Sequence, residues 1–362
     1  MEEHDYDCRW LKPYAQKFFS HERINKYLHR AGFKTKVTVD NIPLDVQALM
    51  STNPSAPEMK LTFKNSRIDL RILDGNETQR HRRYHFEPGS EHPHSYYENR
   101  MPGNSRIITC SENEFDPAKA LREHLGYFFN QPGVAFKTLI IDADLLGQDG
   151  DHKFPQGGTI YSKYVKQVFA ELAEEFSQLK QGLNVESLFV KCPLIFDMKE
   201  ILTFLPFIKP GVLKVVGICG KKGMDNSNLF QVTRTEQWQC ARMVILEDLP
   251  TVQPIDFYNA KSAIVSVPML RMGPIRGLMT KYMESDTPAS AVINCPRNHS
   301  TVNFFNCLVK ELMYNAKEYN TKDGMYILGT THPEIRVIVE GVKFVDDILQ
   351  LRIRREAVPL EK

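Results

Sequence analysis

A glycine-rich segment is the first place where this sequence could bind a phosphate group. Gly217-Ile218-Cys219-Gly220-Lys221-Lys222-Gly223 contains the Gly-Lys pair of a phosphate-binding loop. Such a loop also needs a glycine five residues before the glycine that precedes the lysine, and a Ser or Thr after the lysine. Val215 and Lys222 occupy those positions. The segment therefore predicts a surface turn after a strand, and no nucleotide cofactor.

Histidines and cysteines could bind a metal ion or supply a nucleophile. Four histidines lie close together in the chain: His81, His85, His92 and His94. A zinc site needs three or four ligands that converge, and no cysteine near these histidines completes such a set. Cys192 and Cys295 each follow a predicted strand, but a reactive thiolate needs a base or a helix N-terminus beside it. The sequence therefore predicts no metal and no catalytic residue, and a cysteine-dependent enzyme is only an alternative.

A cluster of arginines is the feature that could contact RNA. Three arginines are followed by two aromatic residues: Arg80, Arg82, Arg83, Tyr84 and Phe86. Positive charge combined with aromatic stacking is how proteins bind single-stranded nucleic acid. Nearby glutamates dilute this charge, and the polar composition of residues 76–104 predicts a long exposed loop. An RNA-associated regulatory or translational-repressor partner is therefore a second alternative, although nucleic acid is not the expected partner.

The composition is that of a folded protein. Of 362 residues, 42% are hydrophobic and 25% are charged, and the net charge is +2. This balance excludes disorder over the whole length and argues against a dedicated nucleic-acid-binding protein. No apolar run approaches the roughly 18 residues that a membrane span needs. The seven cysteines contain no CxxC pair, which favours reduced thiols and a cytoplasmic or nuclear location.

Strands and helices alternate through most of the chain. Predicted strand centres lie near residues 188, 215, 244, 264 and 292. Their spacing of roughly 20–30 residues is typical of leucine-rich-type repeats. The predicted fold is therefore α/β, a degenerate leucine-rich-repeat-like solenoid with a parallel sheet. Two strands at 335–339 and 348–353 should form an antiparallel pair that closes its C-terminal end.

The predicted domain boundaries follow changes in composition. Residues 1–57 predict a small helical segment that ends in a turn-rich stretch, and alternating apolar residues predict strands at 59–63 and 68–72. The main domain is expected at 58–355, followed by a tail at 356–362.

Several phrases of the sequence resemble a known family. They are Asn184–Val190, Ile201–Leu213 (the pattern ILxxLPxxKPGxL), Thr235–Ala241 (TEQWxxA) and Ile255–Tyr258. Their order and spacing resemble the FTH domain, which is expanded in nematodes, has no assigned function and usually follows an F-box. The resemblance implies a non-enzymatic protein–protein interaction module like the substrate-recruiting part of F-box proteins in SCF-type ubiquitin ligases.

The segment that would hold an F-box departs from the F-box pattern. Ile42-Pro43-Leu44-Asp45-Val46 resembles its opening, but the turn-rich residues 51–57 do not predict its later helices. We therefore expect weak or no binding of residues 1–57 to the SCF adaptor, and a protein partner or substrate for the rest of the chain.

Charged residues between apolar strand positions are the predicted binding residues. Glu186, Lys214 and Arg242 occupy equivalent places beside three successive predicted strands. If alternation holds, they should lie on a broad concave sheet face and contact a protein partner.

Overall fold

The structure is a computed structural model that describes most of the chain from residue 58 onward. The described residues are 58–64, 67–74, 77–85, 96–101, 104–108, 121–122, 125–126, 135–143, 158–179, 182–191, 198–220, 227–284, 289–320, 325–330, 334–345 and 348–357. The predicted helical segment at 1–57 and residues 358–362 of the predicted tail (356–362) lie outside them. Two compact units can be distinguished. The larger unit comprises the described residues from 58 to 260 together with 266–268, and the smaller unit comprises 261–265 and the described residues from 269 onward.

The described part of the larger unit contains nine strands. They are β1 (Glu58–Lys64), β2 (Arg67–Asp74), β3 (Glu77–His85), β4 (Tyr96–Met101), β5 (Asn104–Ile108), β6 (Ala135–Asp142), β7 (Asn184–Lys191), β8 (Val215–Cys219) and β9 (Met243–Glu247). Their spatial order is β5-β4-β3-β2-β1-β6-β7-β8-β9. Strands β1 to β5 pair antiparallel, whereas β1, β6, β7, β8 and β9 pair in parallel.

Strands β8 and β9 are almost entirely apolar, as strands covered on both faces usually are. All five residues of β8 and all five residues of β9 are buried. Continuous apolar runs of this kind are typical of parallel strands that lie between two layers. The five buried residues of β9 include its last residue, the charged Glu247. An exposed concave sheet face, as predicted from the sequence, is therefore not what these strands present.

One long helix and several short ones connect the parallel strands of the larger unit. They are α1 (Gly158–Ser177), α2 (Lys199–Phe204), α3 (Leu229–Val232) and α4 (Glu236–Gln239), with single 3₁₀ turns at Leu205–Phe207 and Pro254–Asp256. Because parallel crossovers are right-handed and the strands follow one another in order, these helices cover the same face of the sheet. The rings of Phe169 and Phe204 stack with centroids 5.5 Å apart and join α1 to α2.

Glycines allow the chain to turn from a helix back into the sheet. Gly182 precedes β7 with φ of +70°, and a Cβ there would lie 3.0 Å from the carbonyl oxygen of Phe207. Gly211 precedes β8 with φ of +75°. Residues with a side chain rarely adopt this conformation. A glycine at each of these two positions therefore allows the turn that leads into the next strand.

Six strands and two helices make up what the structure describes of the smaller unit. Its elements are β10 (Ser262–Ser266), α5 (Met272–Glu284), β11 (Ala289–Pro296), α6 (His299–Asn315), β12 (Ala316–Asn320), β13 (Met325–Leu328), β14 (Ile335–Val345) and β15 (Ile348–Ala357). Its strands follow the order β10-β11-β15-β14-β13-β12. Strand β15 pairs antiparallel with both β11 and β14, so the predicted antiparallel C-terminal pair is confirmed. Strands β12 and β13 were not predicted.

Side-chain contacts hold α5 and α6 of the smaller unit in place. The guanidinium of Arg276 on α5 contacts the carboxylate of Glu311 on α6 through two bonds from Nε, at 2.7 and 2.9 Å. Asn298 caps α6, because its Oδ1 accepts a hydrogen bond from the N–H of Thr301 at 2.8 Å. Arg355 on β15 is buried beside the ring of Tyr282 on α5. Burial raises the pKa of the Tyr282 hydroxyl.

The prediction of a long exposed loop at 76–104 is wrong. Residues 77–85 and 96–101 form β3 and β4, which pair with each other and with their neighbours β2 and β5. The error has a physical cause: these strands carry arginine, histidine and asparagine at positions where strands usually carry apolar residues. Polar composition was therefore interpreted as a loop.

The α/β prediction is confirmed at the level of architecture. The larger unit has a parallel core, and the smaller unit has antiparallel C-terminal strands. Glu186 and Lys214 are separated by 28 residues, and Arg242 follows at the same interval. However, the connecting segments differ, the described strands β8 and β9 are buried on both faces, and β1 to β5 extend the sheet antiparallel. The leucine-rich-repeat-like solenoid is therefore not confirmed.

Candidate functional site

Two of the phrases that resemble the FTH domain are joined by one buried side chain. Gln237, on α4, is 5% exposed. Its Nε2 donates hydrogen bonds to the carbonyl oxygens of Pro206 and Ile208, at 3.0 and 2.9 Å. These carbonyls belong to the turn that leads from α2 into β8. An amide with two donors is suited to this position because it satisfies two backbone acceptors that burial would otherwise leave without partners.

The neighbouring tryptophan joins a third of these phrases, Ile255–Tyr258, to α4. Trp238 is 3% exposed, and its Nε1 donates to the carbonyl oxygen of Asp256 at 2.8 Å. The carboxylate of Asp256 accepts a hydrogen bond from the N–H of Gln253 at 2.7 Å, which fixes the 3₁₀ turn at Pro254–Asp256. Burial raises the pKa of the Asp256 carboxyl, and the Gln253 hydrogen bond partly opposes that shift. The indole thus connects α4 to the segment between β9 and β10.

The short helix α4 is defined at both ends by polar side chains. Thr235 is its N-cap residue, and the hydroxyl of Thr235 accepts from the N–H of Trp238 at 3.4 Å. Gln239, at the other end, donates to the carbonyl oxygen of Thr233 and accepts from the side-chain amide of Asn259. A four-residue helix has little stability of its own. Its position therefore depends on these hydrogen bonds and on the burial of Gln237 and Trp238.

The residues that join these phrases, Gln237, Trp238 and Asp256, form what we call the motif cluster. Its long-range hydrogen bonds run from side chains to main-chain carbonyls, and its central side chains are buried. A nucleophile with an adjacent base, which acyl transfer needs, is not among them. The arrangement can position segments of the chain but offers no group to a substrate. In the sequence, only the resemblance to the FTH domain distinguishes these residues.

Exposed apolar residues lie on the same helical layer and were not predicted from the sequence. Phe230 on α3 is 47% exposed, and Ile255 in the 3₁₀ turn is 62% exposed. The guanidinium of Arg234 lies 5.5 Å from the centroid of the Phe230 ring. Ile255 directly precedes Asp256 of the motif cluster. Isolated exposed apolar residues are common on protein surfaces, but Ile255 lies in a turn that Trp238 contacts, and Phe230 lies on the helix that precedes α4.

The structure brings the three predicted binding residues into one row. The N–H of Lys214 donates to the carbonyl oxygen of Glu186 at 2.8 Å, and the N–H of Arg242 donates to that of Lys214 at 2.9 Å. The Nζ of Lys214 lies 3.4 Å from Oε1 of Glu186. The side chains of Lys214 and Glu186 are only 13% and 14% exposed. They form a largely covered ion pair at the amino ends of the strands, and a role in binding stays a prediction.

An ion pair lies at the carboxyl end of the parallel strand β6. Ligands of open α/β sheets usually bind at this end. Asp142, the last residue of β6, forms an ion pair with Lys60 of β1, with Oδ2 and Nζ 3.2 Å apart. The described part of this end shows no group of three or more His, Cys, Asp or Glu residues that could hold a metal, and neither does the rest of the described chain.

Of the two cysteines considered as nucleophiles, only Cys295 lies in the described part of the chain. It is fully buried near the end of β11. Its Sγ lies 3.4 Å from the hydroxyl of Thr301. Burial raises the pKa of the Cys295 thiol, and the hydrogen bond with Thr301 only partly opposes this. A thiol in this environment is a poor source of thiolate.

We expect Cys295 to react more slowly with iodoacetamide at pH 7.5 than the exposed Cys240 and Cys307. The reason is that both burial and a raised pKa reduce the accessible thiolate. Mass spectrometry of tryptic peptides at successive times would give the individual rates. A Cys295 rate above those of Cys240 and Cys307 would support the cysteine-dependent enzyme instead.

Comparison with known proteins identifies one family. Residues 166–300 match the model of the FTH domain, which confirms the resemblance over that range. The wider boundaries of 58–355 stay a prediction. The matched range contains the motif cluster and the row formed by Glu186, Lys214 and Arg242. No curated protein and no solved structure matches the chain. Among the described helices, none combines the length and the apolar character that crossing a membrane requires.

Proposed function

We propose that this chain, whose residues 166–300 match the FTH domain, is a non-enzymatic protein-interaction module. It would resemble the substrate-recruiting part of F-box proteins in SCF-type ubiquitin ligases. Two observations support this proposal: the family match and the purely structural chemistry of the motif cluster. Binding of an SCF adaptor through residues 1–57 stays a separate prediction, and we expect it to be weak or absent.

The motif cluster is the observation that carries the proposal. Gln237 and Trp238 place three chain segments in fixed positions through hydrogen bonds to main-chain carbonyls. Rigid placement lowers the entropy cost of ordering a surface when a partner binds. A module that only recognises other proteins needs such a surface and needs no reactive groups.

The residues next to the motif cluster have the character of binding anchors. Aromatic and arginine side chains contribute most of the binding energy at protein interfaces, and polar residues around them exclude water. Phe230, Arg234 and Ile255 supply exposed aromatic, cationic and aliphatic groups. The row that contains Lys214 and Arg242 would lie at the polar border. We call Phe230, Arg234 and Ile255 the anchor residues.

Replacing two anchor residues should abolish partner capture without unfolding the protein. We expect the double variant Phe230→Ser, Ile255→Ser to retain less than a tenth of the specific partners that the unaltered chain captures from a cell extract. The physical reason is that anchors contribute about 2 kcal/mol or more each to binding. Quantitative mass spectrometry after affinity purification, with circular dichroism to check folding, would measure the change.

The matched control uses exposed apolar residues of the smaller unit. Met313 and Tyr314 at the end of α6 are 43% and 89% exposed. The double variant Met313→Ser, Tyr314→Ser should leave capture unchanged. The assignment of the anchor residues would be contradicted if the unaltered chain and both double variants captured the partners equally well. It would also be contradicted if both double variants lost capture equally.

A further inference from the structure

Backbone pairing places arginine and tyrosine residues on one face of the strands β3, β4 and β5. Tyr84 pairs with Tyr97, and Arg82 pairs with Asn99, which pairs in turn with Arg106. Paired residues of neighbouring strands lie on the same face, and every second residue along a strand returns to that face. The face therefore holds Arg80, Arg82, Tyr84, Tyr97, Asn99, Met101, Asn104, Arg106 and Ile108. We call this set the arginine–tyrosine face.

No acidic residue occupies a paired position on the arginine–tyrosine face. Its nine paired positions include three arginines and no Asp or Glu. On the opposite face, Arg83 pairs with Glu98 on one side and with Asp69 on the other. The register therefore places acidic residues beside Arg83 on the opposite face, where Arg100 pairs with His81 and Ser105, and places none beside the three arginines of the arginine–tyrosine face.

The same face changes character between β2 and β3. On β1 and β2 it holds Met59, Leu61 and Leu70, which are at most 2% exposed. On β3 the next positions in register are Arg80 and Arg82. Arginine is seldom buried unless it is paired with an acidic group. In register, the apolar positions of this face therefore end at β2, and arginine, tyrosine and asparagine positions follow on β3 and β4.

We propose that the arginine–tyrosine face binds single-stranded nucleic acid. In this arrangement the arginines contact phosphates, and bases stack on Tyr84 and Tyr97, which are paired on adjacent strands. An aromatic pair on an antiparallel sheet is a known way to bind unpaired bases. An acidic peptide offers the charge that arginines attract but has no bases to stack on the tyrosines. The net charge of +2 gives no broad attraction to a duplex, so stacking has to contribute. This proposal does not depend on the protein-interaction function.

The test uses the full-length protein and a fluorescent 12-nucleotide single-stranded RNA of mixed sequence. Fluorescence anisotropy would give the dissociation constant between 50 and 300 mM salt. In the variant Arg80→Gln, Arg82→Gln, Arg106→Gln we expect at least a tenfold loss of affinity at 50 mM salt. The slope of log K against log salt should fall by about 2, since each lost phosphate contact on a single strand accounts for about 0.7.

Two further variants separate charge from stacking. The variant Tyr84→Leu, Tyr97→Leu should lose about fivefold or more in affinity with an unchanged salt slope, because stacking does not release counterions. The variant Arg80→Lys, Arg82→Lys, Arg106→Lys keeps the charge and should keep the slope, which shows that loss in the glutamine variant is not a folding defect. Thermal unfolding would be recorded for every variant.

The control variant carries substitutions on the opposite face. Arg83→Gln, Arg100→Gln should reduce affinity by less than twofold. The proposal is overturned if the unaltered protein does not bind the RNA at 50 mM salt, or if the control variant loses as much affinity as the triple glutamine variant. It is also overturned if polyglutamate or duplex RNA competes as well as the single strand does.

Discussion

Replacing Trp238 with alanine should lower the free energy of unfolding of the larger unit by about 3–5 kcal/mol. The side chain is 3% exposed, and its Nε1 donates to the carbonyl oxygen of Asp256 at 2.8 Å. The substitution would create a cavity between α4 and the 3₁₀ turn and would leave that carbonyl without its partner. Urea denaturation followed by far-ultraviolet circular dichroism would measure the change.

Two variants distinguish packing from hydrogen bonding at Trp238. Trp238→Phe retains much of the buried apolar area, so we expect a loss of about 1–3 kcal/mol from the missing donor and the smaller ring. Phe230→Ala truncates an exposed aromatic residue on the adjacent α3 and should change stability by less than about 1 kcal/mol. A loss at Phe230 as large as that at Trp238 would contradict the central role of the motif cluster.

The substitution Glu186→Lys should destabilise the larger unit by about 2–3 kcal/mol. It would place a second cation near Nζ of Lys214, where the ion pair now has a separation of 3.4 Å and side-chain exposures of 14% and 13%. An ion pair on the open surface would be worth less than about 1 kcal/mol. Thermal and urea unfolding of the purified variant would measure the loss.

The exchange variant Glu186→Lys, Lys214→Glu tests whether the loss comes from the ion pair. It restores opposite charges, so more than half of the stability should return. Lys209→Glu, at an exposed lysine of the same unit, should change stability by only about 0.5 kcal/mol. If the exchange variant is no more stable than Glu186→Lys, the ion pair does not account for the effect.

The helices and strands of the core were predictable because their apolar patterns are local. Strand β9 is a continuous apolar run, and Val168, Leu172 and Phe176 of α1 recur at helical spacing. The four-residue helix α3 has too few residues to show a period. Strands β3 and β4 were missed because polar residues are paired across strands there, and pairing between distant segments leaves no trace in the local composition.

The motif cluster could be located from the sequence but its interactions could not. The phrase TEQWxxA contains Gln237 and Trp238, and both side chains are buried. The hydrogen bonds of Gln237 reach main-chain carbonyls 29 and 31 residues away, and any residue can supply a carbonyl. The alignment of Glu186, Lys214 and Arg242 followed from their spacing. Their burial did not, because exposure depends on which segments cover the strand ends.

The parallel pairing of β1 with β6 has a consequence for the order of folding. Lys214, which precedes β8, hydrogen-bonds to Glu186 of β7, 28 residues earlier. In β1, Glu58 pairs with Thr138 of β6, 80 residues later. Closing the longer loop costs roughly 1 kcal/mol more in chain entropy. During synthesis, the β1–β2 hairpin emerges from the ribosome well before its parallel neighbour. Its β1 edge stays open for that interval, when chaperones or a second nascent chain can reach it.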